Sequence, residues 1–136
     1  MRENLLNDDM RIDLIKSAIK ASQNAYAPFS NFKVGAALLA ENGEVFLGCN
    51  IENSSYGATI CAERTALVKA VSDGTRSFSA IAVVSDKNQM TYPCGICRQF
   101  MFEFMPDAEV IVSDLAFNFK TYKVSELIPH GFRLED

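Results

Sequence analysis

The sequence has 136 residues, of which 49% are hydrophobic and 22% charged, an ordinary globular composition that excludes a disordered chain. This length predicts one domain, over 1–136, with a single core. The net charge of -4 and the scattered lysines and arginines argue against a nucleic-acid-binding surface, and no apolar run is long enough to span a membrane.

The N-terminal segment predicts a helix rather than a targeting signal. The first nine residues include acids and lack an apolar stretch, so we expect no secretory signal and a cytoplasmic location, where thiols stay reduced. Residues 8–25 have the apolar spacing of an amphipathic helix, with Asp8 or Asp9 as its cap. The helix should end before Pro28, because the residue preceding a proline is pushed out of the helical region. Its predicted buried face is Ile12, Ile15, Ile19 and Ser22.

The rest of the chain alternates strands and helices. Two apolar runs, 33–40 and 45–50, flank Asn42-Gly43, which predicts a β-hairpin because both turn residues accept positive φ. Further predicted elements are helix 61–71, strand 80–85, helix 94–104, strands 109–113 and 118–124, and a helical turn at 125–128. Each long helix follows one strand and precedes another, which is typical of crossovers on a mixed sheet. The predicted fold class is α/β, a three-layer α/β/α sandwich with a mixed sheet of about five strands.

Cysteine spacing is the most informative local feature. Cys61-Ala62-Glu63 is followed, thirty-three residues after its cysteine, by Cys94 in Pro93-Cys94-Gly95-Ile96-Cys97. Cys94 and Cys97 are three residues apart at a predicted helix start, so their sulfurs point the same way. Structural zinc sites use four protein ligands, whereas catalytic sites keep one position for water. Three cysteines therefore predict a zinc site that performs hydrolysis.

The residues beside these cysteines fit the same chemistry. Cys61 and Cys94 lie near predicted helix N-termini, each carrying roughly half a unit of positive charge that offsets part of the thiolate charge. Arg64, one turn after Cys61, is placed to donate hydrogen bonds to sulfur. Electron-rich thiolates weaken the metal's effect on its water, so Glu63 is predicted to act as general base and then as general acid.

The residues alone leave other interpretations open. A C-x-x-C pair is often a redox pair, although that leaves Cys61-Ala62-Glu63 unexplained. A closed structural site could use Cys49 as a fourth ligand, but Cys49 lies in a predicted apolar strand and is expected to be a core thiol. His130 lies in a Pro-His-Gly turn and is interpreted as a solvated loop residue. Glu63, taken alone, could be an ordinary acid in the first turn of a helix.

At these motifs the chain resembles the small homotetrameric cytidine deaminases. The zinc-deaminase signature is His or Cys, then Glu, then Pro-Cys-x-x-Cys, and this sequence has its all-cysteine form. The resemblance runs from Tyr26 to Pro129 and includes two more motifs in the family's order. They are Ser30-Asn31-Phe32-Lys33-Val34-Gly35-Ala36-Ala37-Leu38 and Gly48-Cys49-Asn50-Ile51-Glu52-Asn53.

The resemblance implies hydrolytic deamination of cytidine and deoxycytidine to uridine and deoxyuridine, with release of ammonia, in pyrimidine salvage. Cys61, Cys94 and Cys97 would hold Zn²⁺, which would activate the water that attacks C4. Glu63 would carry protons to N3 and then to the leaving ammonia, with Arg64 in support. The implied partner is a small nucleoside, not nucleic acid or a membrane, and the implied assembly is a homotetramer with sites at subunit interfaces.

The same resemblance assigns substrate-binding residues. Asn50 and Glu52 look like the family's ribose-binding pair at the 3′-hydroxyl, and Phe32 would flank the sugar and base. The backbone around Ala62 would meet the edge of the base. A site built to bond a hydroxyl can reject the analogue without it by on the order of 10⁴-fold. No matched motif reads the 2′-hydroxyl, which is why deoxycytidine is expected as a second substrate.

Two aromatic residues are assigned to the subunit interface by the resemblance. Tyr56 and Phe132 resemble residues that reach a neighbouring subunit's site, Phe132 by stacking on the pyrimidine. Position 29 is Phe where the family often has tyrosine, so a hydrogen bond from that hydroxyl is absent. Segment 57–60 is individual to this chain, and Arg98 and Gln99 are assigned no more than a supporting role.

Two other hypotheses compete with nucleoside deamination. A related deaminase could act on another cytosine nucleoside, such as a blasticidin-type antibiotic, or on a polynucleotide. The intact Asn50-Ile51-Glu52-Asn53 argues against the antibiotic, and the acidic charge argues against the polynucleotide. The third hypothesis is a zinc-stapled interaction module without catalysis.

Overall fold

The computed structural model describes residues 6–134, which form four α-helices and five strands. The expectation that the first nine residues lack a secretory signal lies partly outside the described residues. The helices are α1 (Asp8–Ser22), α2 (Ala62–Ser72), α3 (Gly95–Phe104) and α4 (Val124–Leu127). The strands are β1 (Val34–Ala40), β2 (Val45–Cys49), β3 (Phe78–Ser85), β4 (Glu109–Ser113) and β5 (Phe119–Lys123). In the described part of the chain, no helix has the length and apolarity that a membrane crossing requires.

The strands form one mixed sheet in the order β2-β1-β3-β4-β5. Strands β3 and β4 are parallel, and the other neighbouring pairs are antiparallel. Helix α2 connects β2 to β3, and α3 connects β3 to β4, so both long helices are the crossovers that the sequence pattern predicts. The α/β class and the mixed sheet are confirmed.

Both faces of the sheet are covered, which gives the sandwich its three layers. Helix α1 packs on one face, and α2, α3 and α4 pack on the other. The central strands are buried on both sides and therefore read as continuous apolar runs rather than as alternating patterns. The face under α1 includes Ala37, Ala82, Val84 and Ile111, and the face under α2 and α3 includes Leu38, Ile81, Val83, Val110 and Val112.

Helix α1 begins and ends differently from its prediction. Its N-cap is Asn7, whose side chain accepts a hydrogen bond from the Met10 amide at 2.9 Å, while Asp8 and Asp9 occupy the first turn. The predicted cap is therefore wrong by one residue, although both acids still stabilise the positive end of the helix. The helix ends at Ser22, because the following amides bond to carbonyls three residues back and tighten the chain into a turn.

The β1–β2 hairpin forms where Asn42-Gly43 predicts it, with one correction to the turn. Gly43 has φ +94, whereas Asn42 is absent from the positive-φ residues of the described chain. Asn42 instead accepts a hydrogen bond from the Glu44 amide at 2.9 Å through its side chain. The asparagine thus shapes the turn by side-chain bonding rather than by a left-handed backbone.

Three strand ends meet at one edge of the sheet. Val34 pairs with Ser85, and Gly35 pairs with Cys49, so the start of β1 lies beside the ends of β2 and β3. The loops that leave this edge lead to β1 and into the N-termini of α2 and α3. Phe32, Asn50 and Glu52 lie beside these strand ends, and Cys61, Glu63, Cys94 and Cys97 lie at the two helix N-termini that follow them.

Candidate active site

The three predicted metal ligands form one cluster. The sulfurs of Cys61, Cys94 and Cys97 all lie within 4.8 Å of one another, and the Cys61 and Cys94 sulfurs are 3.7 Å apart. A tetrahedral site with Zn–S distances of about 2.3 Å requires sulfurs roughly 3.8 Å apart. Soft thiolates are also the donors that zinc prefers. The spacing and the chemistry of the three cysteines fit a zinc ion with protein ligands at three of its four positions.

Two helix N-termini point at this cluster. Cys61 is the N-cap of α2 and Cys94 is the N-cap of α3, while Cys97 is buried in the first turn of α3. The first amides of a helix have no intrahelical partner and carry partial positive charge. This arrangement stabilises anionic sulfur at the point where the two helices begin.

Arg64 supplies a full positive charge beside the sulfurs. Its Nη2 lies 3.6 Å from the Cys61 sulfur and 3.4 Å from the Thr59 carbonyl oxygen. Its Nε is buried and has no hydrogen-bond partner among the described residues. A partly buried guanidinium in contact with a thiol is a reason to expect that thiol to be anionic.

The thiols have strongly divided pKa values. A hydrogen bond from Cys97 and the neighbouring Arg64 lower the pKa of Cys61 to about 5, although partial burial opposes this. The same hydrogen bond, together with burial, raises the pKa of Cys97. These surroundings favour the thiolate form of Cys61, and a bound dication would favour the anionic form of the other two cysteines as well.

Glu63 is buried beside the cysteines. Its side chain is 3% exposed, and burial raises its pKa to about 7, with the Cys61 charge acting in the same direction. An acid of the first helical turn that only interacted with the dipole would be solvated. A carboxyl group with a pKa near 7 beside the cysteine cluster can accept and donate a proton without a large free-energy cost.

Asn50 follows β2 and fixes the segment before β1. Its Nδ2 donates to the Phe32 carbonyl oxygen at 2.8 Å, and its Oδ1 accepts from the Val34 amide at 2.9 Å. The side chain thus pairs with the backbone much as a strand would, and it is buried. One donor and one acceptor position of the amide remain for another group.

Glu52 is held by the segment that contains Phe32. Its Oε1 accepts from the Phe29 amide at 2.8 Å and the Ser30 amide at 3.2 Å, and its Oε2 accepts from the Ser30 hydroxyl. These bonds lower the pKa of Glu52. Asn50 and Glu52 are therefore both buried and hydrogen-bonded, not solvated at the end of the strand.

The sugar-binding candidates are tied to the metal ligands by the backbone. Ile51 and Ile60 exchange two amide–carbonyl hydrogen bonds, of 2.9 and 3.0 Å, between Asn50-Ile51-Glu52 and the residue before Cys61. Ala62, fully buried in the first turn of α2, follows Cys61 directly. The candidates for binding sugar, base and metal therefore occupy one rigid corner of the fold.

Tyr56 and Phe132 are the exposed aromatic residues of the predicted set. Tyr56 is 77% exposed in a short 3₁₀ helix, and its ring packs edge-on against Phe29 at 6.1 Å between centroids. Phe132 is 62% exposed, and its carbonyl oxygen accepts a hydrogen bond from Gln99 at 3.0 Å. Both rings are presented to the surroundings rather than inserted in the core.

The other interpretations of the cysteines fit less well. Cys49 lies on β2 as predicted, but it is partly rather than fully buried, and burial raises its pKa. It is not a member of the metal-ligating cluster found in residues 6–134. All four cysteines are free thiols, and His130 is an exposed loop residue with φ +62.

Two residues support the site: Arg98, for which the sequence analysis allows a supporting role, and Ser30, to which it assigns none. The Arg98 side chain donates to the Pro93 carbonyl at 2.8 Å and to the Leu127 carbonyl at 3.0 Å, which secures the loop before Cys94. Ser30 stands in a recognised motif but received no role. Its position two residues before Phe32 is typical of a serine that bonds nearby backbone, and that spacing is the only available signal.

The chain matches a known family model and known proteins. Residues 9–113 match the model described as the cytidine and deoxycytidylate deaminase zinc-binding region. The chain is 53% identical over 124 residues to the cytidine deaminase of Halalkalibacterium halodurans, covering 90% of this chain and 94% of that protein. It is 51% identical over 124 residues to that of Sporosarcina psychrophila, covering 90% and 91%.

A solved structure shares both the fold and much of the sequence. The crystal structure of cytidine deaminase from Burkholderia pseudomallei superposes with a TM-score of 0.86 at 47% identity, covering 89% of this chain and 98% of that one. The structural similarity thus covers most of the chain, and the family model spans residues 9–113, which include all three clustered cysteines.

Proposed function

The chain belongs to the cytidine and deoxycytidylate deaminase family, and on this basis we propose that it hydrolyses the C4 amino group of cytidine and deoxycytidine. Water is consumed, ammonia leaves, and the products are uridine and deoxyuridine. The observation that carries this proposal is the cluster of Cys61, Cys94 and Cys97 with Glu63 buried beside it. That combination serves hydrolysis, whereas a structural zinc site requires a fourth ligand.

Three cysteines would hold the zinc ion in this proposal. Bound by them, zinc supplies Lewis acidity that activates a water molecule for addition at C4. The N-termini of α2 and α3 and the Arg64 guanidinium offset the negative charge of the sulfurs. This charge compensation limits how far the three electron-rich sulfurs weaken the Lewis acidity of the zinc ion.

Glu63 moves the protons of the reaction. Its carboxylate takes a proton from the attacking water and delivers it to N3 of the pyrimidine. A second transfer, to the amino nitrogen at C4, lets that nitrogen leave as ammonia. Burial raises the pKa of Glu63 to about 7, which suits a group that must both accept and donate at neutral pH.

The nucleoside would be bound through its sugar, through Phe32 beside the sugar and base, and through the edge of its base. Glu52 accepts a hydrogen bond from the 3′-hydroxyl, Asn50 completes this contact, and Phe32 packs against sugar and base. The Ala62 backbone meets the base edge at the start of α2. The buried, fixed positions of Asn50 and Glu52 favour a ribosyl or deoxyribosyl substrate over a blasticidin-type antibiotic.

Assembly, location and pathway belong to the same proposal. We propose a homotetramer of single-domain chains in which Tyr56 and Phe132 contribute to a neighbouring site, working in the cytoplasm in pyrimidine salvage. Exposed aromatic rings are a cost in water that an interface would remove. The reduced thiols of the cluster suit a reducing compartment.

The proposal is tested by following the ultraviolet absorbance of cytidine in the presence of the purified protein. We expect loss of cytidine with stoichiometric ammonia, about one zinc per chain, and loss of activity after treatment with a chelator that zinc reverses. Turnover of free cytosine at a comparable rate would contradict the sugar-binding assignment. Zinc binding without any deamination would support the interaction module instead.

A further inference from the structure

One hydroxyl joins two of the substrate-binding candidates. The Ser30 hydroxyl donates a hydrogen bond to Oε2 of Glu52. Its own oxygen, Oγ of Ser30, accepts a hydrogen bond from the Phe32 amide at 3.1 Å. Ser30 also uses its backbone amide on Oε1 of Glu52, at 3.2 Å. The serine side chain therefore connects the carboxylate to the aromatic residue through two hydrogen bonds in series.

The acceptor positions of Glu52 are almost all used. A carboxylate has about four lone-pair positions. The Phe29 and Ser30 amides occupy two on Oε1, and the Ser30 hydroxyl occupies one on Oε2. One acceptor position remains, on Oε2, beside the Ser30 hydroxyl. Glu52 can thus accept one further donor, and Ser30 fixes the oxygen that offers it.

The Phe32 backbone is held from both sides. Its amide donates to Ser30, and its carbonyl oxygen accepts from Asn50 at 2.8 Å. Asn31, between Ser30 and Phe32, has φ +55, and this left-handed residue closes the turn that brings the serine hydroxyl under the Phe32 amide. Removing the hydroxyl would free one side of Phe32 and one oxygen of Glu52 together.

We propose that Ser30 is a positioning residue for sugar recognition, whose hydroxyl fixes the Glu52 carboxylate and the Phe32 backbone and so sets selectivity for a 3′-hydroxyl. The inference rests on the proposed function, in which Glu52 receives that hydroxyl. Ser30 does not touch the reacting atoms. It acts through Glu52 and Phe32.

The test compares Ser30→Ala with the wild-type protein. A hydrogen bond to a charged group contributes roughly ten- to a hundredfold to an equilibrium constant, and its loss would let the Glu52 carboxylate move away from the 3′-hydroxyl. We expect KM for cytidine to rise by about tenfold or more, with kcat within about threefold of wild type, because the lost contact positions the sugar rather than the amino group. Zinc content should be unchanged.

A second substrate separates selectivity from general damage. For wild type, kcat/KM should be much higher for cytidine than for 3′-deoxycytidine, and Ser30→Ala should lower this ratio by about tenfold. A variant whose site was only less ordered in general would lose kcat/KM by the same factor for both substrates. Ser30→Thr keeps the hydroxyl and should retain the wild-type ratio within about threefold, and Ser77→Ala, an exposed serine before β3, is the matched control.

Failure of this inference differs from failure of the proposed function. If wild type does not deaminate cytidine, the proposed function is wrong. Suppose that wild type is active but Ser30→Ala keeps the wild-type KM for cytidine and the wild-type ratio of kcat/KM between cytidine and 3′-deoxycytidine. The role of Ser30 is then overturned, and it is also overturned if Ser30→Thr lowers that ratio as much as Ser30→Ala does. Should Ser30→Ala not fold, Ser30→Cys keeps the size with a weaker donor and gives the same comparison.

Discussion

Glu63 and Arg64 are neighbours in the first turn of α2, yet the fold gives them different surroundings. Glu63 is turned into the core beside the cysteines, where burial raises its pKa to about 7. Arg64 reaches the Cys61 sulfur at 3.6 Å and the Thr59 carbonyl at 3.4 Å. In the proposed function, two consecutive residues of one helical turn thus take different tasks, proton transfer for Glu63 and charge compensation for Arg64.

Replacing Glu63 with glutamine should abolish deamination without releasing the metal. The amide cannot accept and return a proton, so kcat should fall by about 10²- to 10⁴-fold or more. The three sulfurs remain, and zinc should stay near one ion per chain. The measurement pairs cytidine turnover with metal analysis, with Glu103→Gln on the exposed face of α3 as the control. Substantial activity in Glu63→Gln would rule out the proton-transfer role.

Replacing Arg64 with glutamine should weaken zinc binding. The change removes the positive charge at 3.6 Å from the Cys61 sulfur, and residues that support metal ligands typically contribute 10- to 100-fold in affinity or activity. We expect faster zinc loss to a competing chelator, by about tenfold or more. Arg76→Gln, which removes an exposed guanidinium bonded to backbone carbonyls, should behave as wild type. Equal zinc retention in both variants would assign Arg64 to packing.

Strand β2 and helix α2 approach each other at a single glycine. A Cβ at Gly48 would lie 2.4 Å from the Ala62 carbonyl oxygen and 2.5 Å from the Ala66 amide nitrogen. These two atoms form a helical hydrogen-bonding pair in the turn that follows Cys61 and includes Glu63. The absence of a side chain at Gly48 therefore sets how closely the first turn of α2 packs on the sheet.

Replacing Gly48 with alanine should destabilise the protein and disturb the site together. The methyl group would displace backbone, and such overpacking costs about 1–3 kcal/mol. We expect a lower midpoint of thermal unfolding and a reduced kcat/KM in the folded protein, because the start of α2 shifts. Gly57→Ala is the matched control, since its Cβ would meet no atom within 4 Å. A Gly48→Ala protein with wild-type stability would contradict this close approach.

The elements and the site differ in how far the sequence predicts them. Periodicity and turn residues suffice for the strands and helices, and cysteine spacing suffices for the metal cluster, because each signal is local. The Asn7 cap is missed since three adjacent polar residues, Asn7, Asp8 and Asp9, are all good caps. The hydrogen bonds from Phe29 and Ser30 to Glu52 join residues more than twenty apart, and no local pattern reports such a contact.

At the scale of the whole molecule, large apolar rings remain exposed. Tyr56 and Phe132 are 77% and 62% exposed, and Phe29 packs against Tyr56 at the surface. The backbone of Phe132 is nonetheless fixed, by Gln99 and by Gly131 packed closely on the Phe102 ring. A ring presented on an anchored backbone loses little entropy when a partner covers it, which suits an interface.

If Phe132 completes the site of a neighbouring subunit, two inactive variants should restore activity when mixed. Phe132→Ala keeps Glu63 but cannot stack on the neighbour's substrate, and Glu63→Gln keeps Phe132 but cannot transfer protons. In mixed assemblies, Glu63 of one chain meets Phe132 of the other. With equal amounts and random pairing, about a quarter of the sites should then hold both intact residues.

The measurement is cytidine turnover after the two proteins are unfolded, mixed and refolded together with zinc. Refolding each variant alone is the control, and it should recover no more than that variant's own activity. Activity of the mixture equal to the sum of the separate controls would place Phe132 and Glu63 in unshared sites, and would remove the reason for the site to need a second copy of the chain.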